Sequence, residues 1–470
     1  AEYMGVRGGE CSPVGFHYNL TPLFYKRLLK VELLDCTPSF FSLKMIRFFL
    51  FIFLVTFRVP LTLSALSASF SLQPRRVSRS FNTRQRILQT TAKFAAKYSE
   101  ALIVSLAVGT PWQEQKMALD TGSQLSWVQC GDQVNPTGAG EGSSTASFNP
   151  SVSSSFSSLS CNAALCKPPS PDFTIPTACD LKQQCHYSYF YADGTLAEGN
   201  LVAEKTAISS SPLILGCSKG SSEDIGILGL NTGRLSVVSQ STVSTFSYCI
   251  PGRSSRNSPP VIGAFVIGNN NTRNSSDMKY ISMMNFSSSL SHQMPNLDPF
   301  AYTVPMRGLR VGSDVLNISV SAFRANAGGS GQTFIDSGSE LTYLVDEAYD
   351  KVKEAVMKVA GPLVKKEFSF AGVADMCFDE KHSLMAEKLI GGIGLQFEEG
   401  MEIAIEPNSV LMDVGDGAKC IAIGRSSMLG SAANIIGNVH QQNLWVEYDL
   451  SRRRVGFGKA DCSKSYGQPH

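Results

Sequence analysis

The chain is short of histidine: six in 470 residues, none at a spacing that ligates zinc. Its twelve cysteines include no C-x-x-C, so no metal centre and no paired-thiol redox motif is expected. No G-x-x-x-x-G-K-[ST], H-E-x-x-H or complete G-x-G-x-x-G occurs. That leaves out the phosphate loop, the helical zinc protease and the dinucleotide fingerprint. Nothing else in the chain calls for a cofactor. Long amphipathic helical patterns are scarce while Ser, Gly and Pro are plentiful, which predicts a mostly β protein. No run approaches the roughly 20 apolar residues needed to span a bilayer as a helix.

A strong charge of one sign is missing too. The net charge of +2 hides an uneven distribution. Residues 1–97 hold fourteen Lys/Arg against four Asp/Glu, and residues 98–470 hold 27 against 35. The main body is mildly acidic, which argues against a nucleic-acid partner.

The basic leader divides further. "MIRFFLFIFLVTF" (45–57) has a basic start and a short apolar run, followed by the small residues of "LTLSALSASFS". This reads as a secretory signal peptide over 45–69, cleaved near Ala65 to Ser69, rather than a membrane anchor. Residues 1–44 are then expected to lie upstream of the true start at Met45. Residues 70–97, with seven basic residues and no acidic one, read as a short propeptide or a basic linker. The ten cysteines beyond the leader would enter an oxidising lumen, and their even number suggests five disulfides. Four sequons, at Asn270, Asn274, Asn285 and Asn317, permit N-glycosylation. Three of them fall in a Ser/Asn-rich stretch read as a surface linker, 256–300, between an N-terminal lobe (98–255) and a C-terminal lobe (301–470).

What the chain does have is a repeat. "ALDTGSQLSWV" (118–128) returns as "FIDSGSELTYL" (334–344), 216 residues later. Asp120/Asp336, Gly122/Gly338, Ser123/Ser339 and Leu125/Leu341 are identical at matching offsets. Thr121/Ser337 and Ser126/Thr342 keep a hydroxyl, and Trp127/Tyr343 keep an aromatic ring. Each Asp sits where an apolar strand enters a Gly-containing turn, whose backbone N–H groups can hold a carboxylate. About a hundred residues after each motif comes an apolar run ending in glycine, Ile227-Leu228-Gly229 and Ile435-Ile436-Gly437, suited to pack beside it. This pattern is an internal duplication of a whole lobe. Two carboxyl groups brought together share one proton; one can then activate a water while the other protonates a carbonyl oxygen. A cation sensor built on the same two Asp residues fits poorly, because neither turn is surrounded by other acids.

The motifs "LDTGSQLSWVQC", "YADGTLAEGNL", "GILGLNTGRLSVVSQ", "FSYCI", "YTVPMRGLRVGS", "IDSGSELTYL" and "IIGNVHQQNLWVEYDLSRRRVGF" occur in that order over residues 98–465. In this the chain resembles the pepsin-family aspartic proteases, in their plant nepenthesin-like branch and its cell-survival subgroup. The resemblance implies a bilobal, mostly β acid-protease fold with a peptide cleft between lobes. Asp120 and Asp336 would form a dyad that binds water and no metal. Ser123 and Ser339 would bond its outer oxygens, while Thr121 and Ser337 would cross-link the turns of Gly122 and Gly338. The stretch 186–201 would be the flap. Tyr187, Tyr189 and Tyr191 alternate into an Asp193-Gly194 turn, as in a hairpin. Tyr191 would cover substrate and Trp127 would support it. The resemblance also implies disulfides Cys130–Cys217, Cys161–Cys185, Cys166–Cys179, Cys249–Cys462 and Cys377–Cys420. Expected partners are a peptide or protein substrate and pepstatin-like inhibitors. The chain is expected to be a monomer without a membrane anchor after signal cleavage, in the apoplast, vacuole or endoplasmic reticulum. The alternative is a protease-shaped binding or inhibitor protein without catalysis, as in plant xylanase-inhibitor-like proteins, which lack motif residues kept here.

Overall fold

The computed structural model describes residues 67–78, 98–131, 147–166, 175–191, 194–219, 225–241, 243–253, 262–268 and 278–464. The signal segment up to residue 66, Asp193, Asn270 and Asn274 lie outside the described residues. The described chain is mostly β: its strands form sheets of fifteen, five, four and three.

The duplicated sequence builds two matching sheets. In the N-terminal half, Tyr98–Val108 pairs antiparallel with Gln113–Asp120, which pairs parallel with Gly226–Gly229. Gly226–Gly229 meets Trp127–Gln129 antiparallel, and that strand pairs parallel with Ser209–Ser218. In the C-terminal half, Tyr302–Thr303, Thr333–Ile335, Asn434–Ile436, Thr342–Leu344 and Ile423–Arg425 follow in the same order. Their directions alternate antiparallel, parallel, antiparallel, parallel, as in the first half. The register puts Asp120 opposite Gly229 and Ile335 opposite Ile436. The two glycine-ended apolar runs are thus the parallel neighbours of the two Asp strands. Their continuous apolar character suits strands covered on both faces.

The lobes share a third layer. Lys279–Ser282, Arg454–Lys459, Leu444–Asp449, Thr245–Cys249, Gly263–Gly268 and Ser67–Ser78 pair side by side, all antiparallel. Strands from both ends of the chain and from its middle therefore lie in one sheet. An aromatic cluster sits on it: Phe246 stacks on Tyr448 at 4.4 Å, and Tyr302 lies 4.4 Å from the same ring.

Two stretches read from sequence as leader and linker contain strands. Ser67–Ser78, assigned to the end of the leader and to a short propeptide or basic linker, is a strand of this sheet. Leu72 is wholly buried and Phe70 stacks on Phe265 at 5.8 Å. The stretch 256–300 is not only a linker: it supplies Gly263–Gly268 and Lys279–Ser282, with Phe265, Ile267 and Ile281 buried. Those short apolar runs were masked by the surrounding Ser and Asn.

The C-terminal lobe also carries a helix, Asp346–Ala360. Ala348, Val352, Val356 and Ala360 recur every four residues and bury one stripe with Tyr349. Asp346 and Glu347 lie at its N-terminus and Lys358 in its last turn, each favourable to the helix dipole.

Candidate active site

Both aspartates end their strands at the same level, facing each other across the two lobes. Asp120 is 7% exposed and Asp336 8%. Each is held in the same way by its own turn. Gly122 N–H donates to Asp120 Oδ1 at 2.8 Å and the Ser123 hydroxyl to Oδ2 at 2.5 Å. Gly338 N–H donates to Asp336 Oδ1 at 2.8 Å and the Ser339 hydroxyl to Oδ2 at 2.6 Å.

The two turns are bolted together by the residues after the aspartates. Ser337 N–H donates to Thr121 Oγ1 at 2.9 Å, and Thr121 N–H donates to Ser337 Oγ at 3.1 Å. The Ser337 hydroxyl in turn donates to the Leu119 carbonyl at 2.9 Å. Both residues are fully buried, so each lost partner would strand a polar group away from water.

The glycines of the motif have a reason beyond turn geometry. A β-carbon on Gly122 would stand 2.7 Å from Asp336 Cγ, and one on Gly338 would stand 2.7 Å from Asp120 Cγ. Each carboxyl group fills the space its opposite glycine leaves open. That close approach has an electrostatic cost. Burial first, then the charge of Asp336, pushes the Asp120 carboxyl well above the usual carboxylate range, against the pull of the Ser123 and Gly122 hydrogen bonds. Such a pair titrates as a unit and keeps one proton into higher pH than an isolated carboxyl.

The bonds behind the two turns repeat as well, and their roles were not assigned from sequence. Gly229 N–H donates to Ser126 Oγ at 2.9 Å and Gly437 N–H to Thr342 Oγ1 at 3.1 Å. The hydroxyl retained at these positions therefore ties each motif to its neighbouring strand. Asn438 Nδ2 donates to the Ser337 carbonyl at 3.0 Å. Beneath the dyad, Gln441 Nε2 donates to the Asp336 carbonyl at 3.2 Å, and its Oε1 accepts from the Tyr248 hydroxyl. Four residues after each Asp the lobes differ. Gln124 accepts Leu235 N–H, while Glu340 forms an ion pair with Arg253 at 2.5 Å.

The expected flap is a hairpin of Cys185–Phe190 and Leu196–Thr206. At its tip Tyr191 N–H donates to the Thr195 carbonyl, and Gly194 N–H to the Tyr191 carbonyl, both at 2.9 Å. Gly194 has φ of +87°, a conformation glycine adopts without strain. Trp127 Nε1–H donates to Tyr191 Oη at 2.9 Å, and the Tyr189 ring meets Tyr191 edge-on at 4.8 Å. Burial and then the charge of Asp120 push both phenols up, that of Tyr189 to about 12. The two tyrosines thus face the dyad together. Only alternation along the strand hinted at Tyr189.

Two disulfides depart from expectation. The structure pairs Cys161 with Cys179 and Cys166 with Cys185, in place of Cys161–Cys185 and Cys166–Cys179. Depth explains the exchange. Cys179 and Cys185 stand opposite each other in one hairpin, but Cys179 faces solvent while Cys185 is wholly buried. The deeper Cys166 meets Cys185 and the shallower Cys161 meets Cys179. The remaining bonds are Cys130–Cys217, Cys249–Cys462 and Cys377–Cys420.

Two family models match the chain, one described as "Xylanase inhibitor N-terminal" over residues 102–264 and one as "Xylanase inhibitor C-terminal" over residues 301–459. The chain is 33% identical to aspartic proteinase PCS1 of Arabidopsis thaliana over 400 residues, covering 80% of this chain and 85% of that one. It is 33% identical to aspartic proteinase nepenthesin-1 of Nepenthes gracilis over 374 residues, 77% and 78% of the two chains. Among solved structures the fold is similar to edgp, with TM-score 0.56 and 16% identity over 83% of this chain and 95% of that one. It is similar also to conglutin gamma, a basic 7S globulin from lupine seeds, with TM-score 0.55 and 14% identity over 84% and 95%. With these matches beside the paired Asp turns, the chain belongs to the pepsin-like family of plant aspartic proteinases.

Proposed function

We propose that this chain is an aspartic endopeptidase that hydrolyses peptide bonds at acid pH. The observation that carries the reading is the mutual insertion of Asp120 and Asp336, each seated against the other's glycine and each gripped by its own N–H and hydroxyl. One proton shared between them leaves one carboxylate to deprotonate a water and one carboxyl to protonate the substrate carbonyl oxygen. Water adds to the carbonyl carbon, and no covalent enzyme intermediate forms. The proton taken up then passes to the leaving nitrogen as the C–N bond breaks, and the carboxylate that had protonated the carbonyl oxygen takes a proton back from a hydroxyl of the collapsing intermediate, which restores the starting state. The shared proton belongs to the pair, each carboxyl being gripped in the same way by its own turn. Tyr189 and Tyr191 close over the bound peptide and exclude water from it.

A secretory route fits the leader and the disulfides. Asn285 and Asn317 are exposed, so both are open to glycan addition. A monomer that binds peptide substrates and pepstatin-like inhibitors completes the reading.

The second reading, a protease-shaped inhibitor or binding protein, is favoured by the descriptions of the two matching family models. Cleavage of a denatured protein between about pH 3 and 7 separates the two. The wild-type chain is expected to cut, pepstatin to block it, and Asp336→Asn to lose at least ~10³-fold in rate. A folded wild-type chain that cuts nothing at any pH would favour the inhibitor reading.

A further inference from the structure

A second acid stands beside the dyad, outside both Asp motifs. Tyr302–Thr303 runs antiparallel to the Asp336 strand with Tyr302 opposite Ile335, so the chain just before it passes level with Asp336. That chain, residues 298–301, is tied to both lobes. Thr232 N–H and Oγ1 donate to the Phe300 carbonyl at 3.0 and 2.9 Å. Thr232 lies two residues beyond Leu230, whose N–H donates to the Asp120 carbonyl at 2.8 Å and whose own carbonyl accepts the Tyr302 hydroxyl at 2.5 Å. On the other side buried Gln332 accepts Asp298 N–H at 2.9 Å and donates to the Asp298 carbonyl at 2.7 Å. The same amide donates to Thr303 Oγ1 at 2.7 Å.

On this clamp sits the half-buried Asp298 carboxylate. Its partners are backbone N–H groups: Phe300 N–H at 2.8 Å and that of Ala301. Among the described residues no lysine or arginine forms an ion pair with it. It also responds to charges on both sides of the site. Burial, then Asp336, raises the Asp298 carboxyl to about 6, and Asp298 in turn raises the phenol of Tyr189 on the flap. The ladder from Tyr302 to Ile335 thus brings Asp298 near the Asp336 side of the dyad, within electrostatic reach of Tyr189 on the flap.

We propose that Asp298 is a specificity-determining residue that selects a lysine or arginine side chain next to the scissile bond. The inference rests on the endopeptidase reading. A rigidly held acid without a cation is costly once substrate displaces water from the cleft. A substrate ammonium or guanidinium supplies the missing counter-charge and stabilises the ionised form. A neutral substrate side chain leaves the acid unpaired.

The test uses the full chain from Ser67 onward at about pH 6, with quenched peptides that carry Lys, Arg or norleucine at either position flanking the scissile bond. For the wild type, Lys is expected to exceed norleucine about tenfold in kcat/KM at one of these positions. In Asp298→Asn the Lys-to-norleucine ratio is expected to fall to about one. A ratio unchanged by the substitution, or a wild type indifferent to Lys, overturns the proposal. Calorimetric binding of reduced-amide versions of the same peptides gives a readout free of turnover. If nothing is cleaved but Lys peptides still bind the wild type more tightly than Asp298→Asn, the endopeptidase reading falls and the Asp298 site stands. If nothing is cleaved and binding ignores Lys, both fall.

Discussion

Thr121 and Ser337 show how little chemistry aligns the two halves of the site. Each offers one hydroxyl and one N–H to the other, and between them they fix the separation of the carboxyl groups. Thr121→Ala leaves Ser337 N–H buried without its acceptor, at a cost of about 1–3 kcal/mol. The thermal midpoint is expected to drop accordingly, and kcat/KM to fall at least ~10-fold because the dyad is no longer held in register. Thr121→Ser keeps the hydroxyl and is expected to recover both, as Ser337 already does in the other half. A Thr121→Ala chain with unaltered kcat/KM would show that the cross-link does not position the dyad. His440 makes a prediction of a different kind. Its ring is 3% exposed, with Nδ1 2.7 Å from Thr342 Oγ1, and burial pushes its pKa down to about 4. Unfolding frees it to bind a proton below about 6.5, its ordinary value. The unfolded state then holds more protons than the folded one between 6.5 and 4, so stability falls as pH drops through that window. His440→Gln is expected to lose less stability between pH 7 and 4, by up to about 3 kcal/mol, in urea titrations at the two pH values. Equal losses in both chains would show that His440 is not the group responsible.

At the scale of the element, the strand Ser67–Ser78 is the least obvious part of the fold. The residues that follow Leu72 are largely basic and polar, yet Leu72 enters the core and the strand pairs on both sides, with Tyr98–Val108 and Gly263–Gly268. A chain beginning at residue 80 would leave both neighbours with an open edge and uncover Phe265. Expressed beside a chain beginning at Ser67, it is expected to be less soluble and to melt at least several degrees lower, a difference of about 1–3 kcal/mol. Equal melting would show that the strand is dispensable. The contrast with the Asp strands explains what was legible. Asp120, Asp336 and their partner strands were readable because the chain writes them twice, and coincidence of flanking residues is strong evidence. Asp298 has no counterpart in the first motif, so nothing in the letters marked it; only the ladder from Tyr302 to Ile335 brings it to the dyad. The pairing of Cys161, Cys166, Cys179 and Cys185 was illegible for a related reason. It depends on how deeply each residue is buried, and the four are too close in sequence for spacing to decide.

At the scale of the molecule, duplication accounts for the two cores but not for how they are joined. The repeat implies two lobes linked by a tether. The structure instead weaves strands from residues 67–78, 245–249, 263–268, 279–282, 444–449 and 454–459 into one shared sheet. Short apolar runs such as "AFVI" and "KYIS" carry too little pattern to announce that role. The bond Cys249–Cys462 runs along this seam, 213 residues apart in sequence, and is the one disulfide among the described residues that joins the two halves. A single cut after Arg253, ahead of the next strand at Gly263, would therefore yield two polypeptides that remain one particle. On a gel without reductant the nicked protein is expected to migrate as a single band, and with reductant as two. If the cut protein separates before reduction, the seam bond is not formed in solution. Internal scission of this molecule would thus leave its size unchanged until the seam bond is reduced, and would be seen first by counting chain ends.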